Sequence, residues 1–302
     1  MKKIIIGNKM RYLKLLFMAL IIMQVAFAQH ADGETAHSER YKIGVVDLMI
    51  LKRQKVSAFP LAKELRADGV EVDMGGLGNR PTFDNKLADP IVRKAYLDTA
   101  RVLNLEISSL AMTGFYSQSF PTREGVELTV QDCINTMALM GVKVGFLPLG
   151  VEGDLNKYPE RRQSIVERLK VVAKKAEAAG VVIAIETALD AACERELLSE
   201  IGSPAVQISF NFSNPLAAGR DLYRELEILG KDCIAQIHCT NKDGVWLQND
   251  PEIDMQRVKQ KLDQMGWSGW LLVERSRDAA KPQDVRANFG ANVAYLKSVF
   301  QK

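Results

Sequence analysis

The sequence predicts an α/β protein folded as a single (β/α)8 (TIM) barrel, and three observations carry that prediction. Eight short apolar runs alternate with helical stretches from Tyr41 onward. The alternation fills ~260 residues, close to the usual span of such a barrel. The last four runs each end on a polar side chain, Glu186, Asn211, His238 and Glu274, where a barrel keeps its functional groups.

The chain opens with a segment that stands apart from this pattern. Lys2, Lys3, Lys9, Arg11 and Lys14 precede an apolar run over residues 15–25, and Ala26-Phe27-Ala28 reads as an A-x-A cleavage site. Residues 1–28 are therefore expected to be an export signal, with the mature chain starting at Gln29 in the periplasm or outside the cell. The run is short for a spanning helix, so no stable membrane anchor is expected after cleavage. Residues 29–40 are polar and aperiodic, the composition of a flexible leader.

From there the barrel is read in order, over residues 41–302. Residues 41–47 form the first apolar run and 59–67 the first helix. Residues 70–75 form the second strand and lead into Gly75-Gly76-Leu77-Gly78. That loop lacks the G-x-G-x-x-G spacing of a dinucleotide site. A helix over 90–103, a strand over 105–112, a helix over 124–140 and a strand over 142–149 follow. Residues 161–179 repeat Ile165, Leu169, Val172 and Ala176 at helical spacing and stop at Gly180. Runs 181–185, 205–210, 233–237 and 269–273 complete the eight, and residues 286–300 form the closing helix. A doubly wound open sheet is the competing architecture; the count of eight and the missing phosphate loop favour the barrel.

Composition narrows the function classes. Removing the five leading cations takes the net charge from +3 to −2, so no basic patch remains to argue for nucleic acid. The four cysteines, Cys133, Cys193, Cys233 and Cys239, have no disulfide-like spacing and read as free thiols. Oligomeric state is left open, a homo-oligomer included.

Strand alternation then tests the four run ends. Counting back from Glu186, Asn211, His238 and Glu274, one face carries Ala184, Gln207 with Ser209, Gln236 with Ile234, and Leu272 with Trp270. The other carries Ile183, Ile185, Ile208, Phe210, Ile237 and Val273, suited to packing on helices. The four polar residues are thus expected to face inward on adjacent strands. Oxygen ligands with one imidazole suit a single divalent ion, Mn, Mg, Co or Zn. Such an ion would acidify a C–H next to a carbonyl, and two carboxylates would move the proton. Weaker substrate candidates are Glu152 after the fourth run, Phe115 and Tyr116 after the third, Lys242 behind His238, and Arg277 behind Glu274. Trp267 and Trp270 read as barrel packing.

The segments Ile183-Ala184-Ile185-Glu186, Ile237-His238 with Asp243, and residues 266–274 (GWSGWLLVE) resemble the sugar phosphate isomerase/epimerase family. These are xylose-isomerase-like barrels that include ketose 3-epimerases and hydroxypyruvate isomerases. The resemblance implies a metal held by Glu186, Asn211, His238 and Glu274, with Glu186 and Glu274 as the catalytic acid/base pair. Where this family usually has Asp, the chain has Asn211, so weaker metal binding is expected. The implied activity is isomerisation or 3-epimerisation of a sugar through an enediolate, on free sugars or glycosides given the export signal. A keto-glycoside lyase working by β-elimination, or a metal-free sugar-binding barrel, are the alternatives. The DNA-repair endonucleases of similar fold need several histidines, whereas His238 is the only one after residue 40.

Overall fold

A computed structural model describes residues 40–301. The expected export signal and the leader up to residue 39 lie outside the described residues. Arg40, expected to end the leader, is already part of the barrel. Its Nε donates to the Trp267 carbonyl at 2.8 Å, and its guanidinium pairs with Asp263 at 3.1 Å.

Eight parallel strands close on themselves in sequence order. They are β1 (Tyr41–Val46), β2 (Gly69–Asp73), β3 (Glu106–Ala111), β4 (Val144–Pro148), β5 (Val182–Glu186), β6 (Val206–Asn211), β7 (Ile234–His238) and β8 (Gly269–Val273). The ring closes where Tyr41 to Val45 pair with Gly269 to Val273. Every strand is followed by a helix on the outside, from Ala58–Glu64 after β1 to Val285–Phe300 after β8. Strand ends differ from the sequence reading by a residue or two, and Cys233 falls in a 3-10 turn before β7. Cys133 and Cys239 are buried, Cys193 and Cys233 half-buried, and all four are free.

The loops enter their helices in a recurrent way. Asp89, Asp190, Asp221, Asp254 and Asp284 each accept a first-turn backbone N–H, a cap worth ~1 kcal/mol apiece. Each cap fixes where its helix starts after the loop that leaves the barrel mouth.

The inside of the barrel is filled, and small residues make room for large ones. A Cβ on Gly69 would lie 2.6 Å from the Trp270 ring, and one on Gly44 would lie 2.7 Å from Leu272. Trp270 therefore sits within the strands' N-terminal end, with the Lys42 ammonium 5.5 Å from its ring centroid. Trp267 packs outside, fully buried, and its indole N–H donates to the Ile234 carbonyl at 2.9 Å. Above Trp270 come Leu272, Glu71, Ser209 and Gln236, all buried. The outward faces Ile183, Ile185, Ile208, Ile237 and Val273 join the helices in one core.

Candidate active site

At the C-terminal ends of β5 to β8 the four inward residues meet. Asn211 and His238 are register partners on β6 and β7, Glu186 ends β5, and Glu274 follows β8. Asn211 Nδ2 donates to Glu186 Oε2 at 3.0 Å and to Glu274 Oε2 at 3.1 Å. His238 Nδ1 lies 3.7 Å from each of the same two oxygens. Tyr116 donates from its hydroxyl to the other oxygen of Glu186, Oε1, at 3.2 Å. The Phe146 ring stands edge-on to the imidazole, centroids 4.7 Å apart.

A fifth group supports His238 from below. Glu71 on β2 is wholly buried and places Oε1 3.3 Å from His238 Nε2. Its other oxygen accepts from Ser109 at 2.7 Å and Gln236 at 2.9 Å. Burial disfavours the imidazolium, but the charge of Glu71, aided by Glu186 and Glu274, holds the His238 pKa well above its ordinary value. Burial likewise works against the Glu71 carboxylate, yet His238, Ser109 and Gln236 keep its pKa below the usual range. Burial raises the Glu274 carboxyl; His238 pulls the other way, and the charges on Glu186 and Glu71 reinforce the rise. Tyr116 is held well above its ordinary pKa by burial and by the Glu186 and Glu274 charges. It stays a hydrogen-bond donor.

The donor set decides whether a metal fits here. Glu186 Oε2, Glu274 Oε2 and His238 Nδ1 converge, but Asn211 presents its NH2 group to them, not its carbonyl. The carbonyl is taken: Asn211 Oδ1 accepts from the Ser213 backbone N–H at 3.0 Å and the Ser213 hydroxyl at 2.8 Å. Amide orientation is assigned from partners, and here both sides agree. A backbone N–H can only donate and a carboxylate can only accept. Among the described residues no three His, Cys, Asp or Glu side chains are spaced to hold an ion. The residues do not fit the expected four-ligand centre, and the expectation that the Asn211 carbonyl would serve as a ligand is corrected by the Ser213 contacts.

The profile of the xylose isomerase-like TIM barrel family matches residues 59–299. The chain belongs to that family. A curated family relative, 2-epi-5-epi-valiolone 7-phosphate 2-epimerase from Actinoplanes sp., is 29% identical over 191 residues, 62% of this chain and 67% of that protein. Among solved structures, D-psicose 3-epimerase from Clostridium cellulolyticum H10, crystallised with D-tagatose, superposes with a TM-score of 0.68 at 12% identity. That match covers 86% of this chain and 99% of the other. The 3-keto-D-glucoside 4-epimerase from E. coli superposes with a TM-score of 0.66 at 17% identity, covering 85% and 99%. At these identities the structural likeness speaks for the fold.

Within this family frame the weaker candidates separate. Tyr116 reaches Glu186 and, with Ser117, Gln118, Ser119, Val151 and Glu152, lines a cavity of about 250 Å3 beside the mouth. Glu152 is solvent-facing there, 3.4 Å from Arg161. Phe115, expected to touch substrate, is instead core. The 3-10 turn Thr113–Tyr116 points successive side chains to different sides, and Phe115 packs edge-on between Phe83 and Phe120. Lys242 is exposed and pairs with Glu252 at 3.3 Å. Arg277 grips Asp243 with two bonds of 3.0 and 2.6 Å. Burial opposes the Asp243 charge, but Arg277 and Arg275 carry its pKa down to about 2. That fork ties the loops after β7 and β8 together.

Glu71 is the site residue that the sequence reading passed over. Its signal was present: Val70-Glu71-Val72-Asp73 alternates apolar and acidic residues along β2, the mark of acids facing a barrel's interior.

Proposed function

We propose that the protein is an exported carbohydrate epimerase or isomerase that moves a proton on the carbon next to a carbonyl. One observation carries this reading: two carboxylates, Glu186 and Glu274, each set an oxygen 3.7 Å from His238 Nδ1, hung on a single amide. Kinship with the 2-epimerase supports the reaction class, and the export signal favours free sugars or glycosides over sugar phosphates.

The chemistry follows from those atoms. A sugar carbonyl oxygen set against His238 Nδ1 accepts a hydrogen bond as negative charge develops on it. One glutamate removes the proton from the adjacent carbon, and that C–H pair becomes the double bond of an enediolate. The other glutamate returns a proton to the opposite face for epimerisation, or to the neighbouring carbon for isomerisation, the hydroxyl proton of the first carbon then passing to the former carbonyl oxygen. Glu274, whose pKa is raised by burial and neighbouring charge, suits the donor role, leaving Glu186 as base. Tyr116 keeps Glu186 aimed, and the adjoining cavity takes the rest of the sugar.

The test is carbon-bound deuterium uptake in D2O across a panel of ketoses and 3-keto-glycosides. Exchange with epimer or isomer formation supports the reading, and exchange with aglycone release converts it to the lyase. Sugar binding with no exchange on any substrate overturns it in favour of a binding barrel. Export is tested separately: the mature protein recovered from the periplasm should begin at Gln29, and a cytoplasmic full-length chain would reject that part.

A further inference from the structure

We propose that the Asn211 carboxamide stands in for the divalent cation, so that this site is complete, and holds its two glutamates and its substrate, through hydrogen-bond donors alone. The inference concerns the site of the proposed reaction and rests on its being the substrate site.

A primary amide has two N–H donors and one carbonyl with two lone pairs. Asn211 uses all four. Its two hydrogens go to Glu186 Oε2 and Glu274 Oε2, and both lone pairs accept from Ser213, backbone and hydroxyl. Nothing on the side chain is left over for an ion. Rotating the amide to offer its oxygen would turn NH2 toward the Ser213 backbone N–H, setting donor against donor in a buried place. That costs ~1–3 kcal/mol for the stranded group alone.

An aspartate here would behave in the opposite way. One of its oxygens could keep the Ser213 bonds, but the other would face the oxygens of Glu186 and Glu274 directly. Three carboxylates meeting at one point need a cation between them. The carboxamide removes one negative charge and supplies two hydrogens aimed at the remaining two. It does what a cation would do for the pair, with no ion bound. His238 Nδ1 is then left without a hydrogen-bond partner among the described residues, 3.7 Å from both carboxylates.

The experiment uses the mature protein purified without chelator and probes it with Mn2+ alone. Metal content by mass spectrometry and Mn2+ binding by calorimetry should show no stoichiometric ion in the wild type and no micromolar binding. Its thermal midpoint should not move with either EDTA or millimolar Mn2+. Asn211→Asp should bind one Mn2+ per chain, tighter than wild type by roughly a hundredfold or more, given that even outer partners of metal ligands are worth ~10–100-fold. Its midpoint should rise on adding Mn2+. One Mn2+ per wild-type chain at micromolar affinity, or a wild-type midpoint that falls in EDTA, overturns the proposal. These wild-type readings hold whether or not the variant folds. They are independent of turnover, so an inactive sugar panel would sink the proposed reaction and leave this inference standing.

Discussion

The two sides of the barrel mouth are both acidic and largely shielded from solvent, and they use their carboxylates in different ways. Behind β1 and β2, Asp47 accepts from the backbone N–H groups of Gln54 at 2.9 Å and Asp73 at 3.1 Å. Asp73 accepts from the Gly75 backbone and Arg53, both at 2.6 Å, and from the Thr113 hydroxyl. Across the mouth, Glu186 and Glu274 accept only from side chains, those of Asn211 and Tyr116. Backbone donors cannot leave, so Asp47 wholly, and Asp73 through Gly75, are tied to the loops they shape. Side-chain donors can be displaced or share their acceptor with a substrate. What sets apart the pair proposed to react is that it keeps no backbone donor among the described residues, since acidity is common to both.

The comparison breaks most sharply under substitution. Glu186→Gln and Glu274→Gln should each cut kcat by ~10²–10⁴-fold, the range for general acid–base groups, with thermal midpoints near wild type. Retained turnover in both would put the chemistry elsewhere. Glu71→Gln should lower kcat less, about tenfold to a hundredfold, on the same principle. Because it withdraws the charge that raises the His238 pKa, the imidazole followed by NMR should lose its proton at lower pH. An unmoved titration would deny Glu71 its positioning role.

Asp73→Ala should invert the pattern. Stranding the Gly75 N–H and Thr113 should cost about 2–3 kcal/mol of stability, from unsatisfied buried donors, while turnover survives at low temperature. Loss of turnover at full stability would erase the distinction between the two sides. The last contrast is in pH dependence. Burial pushes Asp47 from 3.8 up to about 8, so its raised pKa gives stability that is full below its unfolded value and is lost as pH rises through about 8. Asp47→Asn should flatten part of that decline in urea midpoints between those limits. An identical slope in the variant would show that Asp47 titrates normally.

Much of this architecture was legible in the chain. Apolar runs ending on Glu186, Asn211, His238 and Glu274, with period-2 alternation behind them, are enough to place four side chains in one mouth. The family resemblance rests on the same local segments. What escaped were properties set by partners distant in sequence. Phe115 and Tyr116 are neighbours with opposite fates, decided by a turn whose facing the residue types do not specify. Asn211 is an ordinary candidate ligand until Ser213, two positions on, is seen to hold its carbonyl. Glu71 lies 167 positions before His238 and meets it only because the barrel closes.

The Trp270 floor bears on how a proton is kept. With the Trp270 ring fitted against Gly69 and Gly44 and the layer above it buried, the barrel is a well open at one end. A substrate lying in the mouth is then its own stopper. A hydrogen lifted onto a glutamate can mix with bulk water only when the sugar shifts or leaves. The fraction of label returned to recovered substrate on reversal, against the fraction lost to water, thus becomes a clock for residence. Larger glycosides, which cover more of the rim, should keep more of their own hydrogen in recovered substrate than small ketoses.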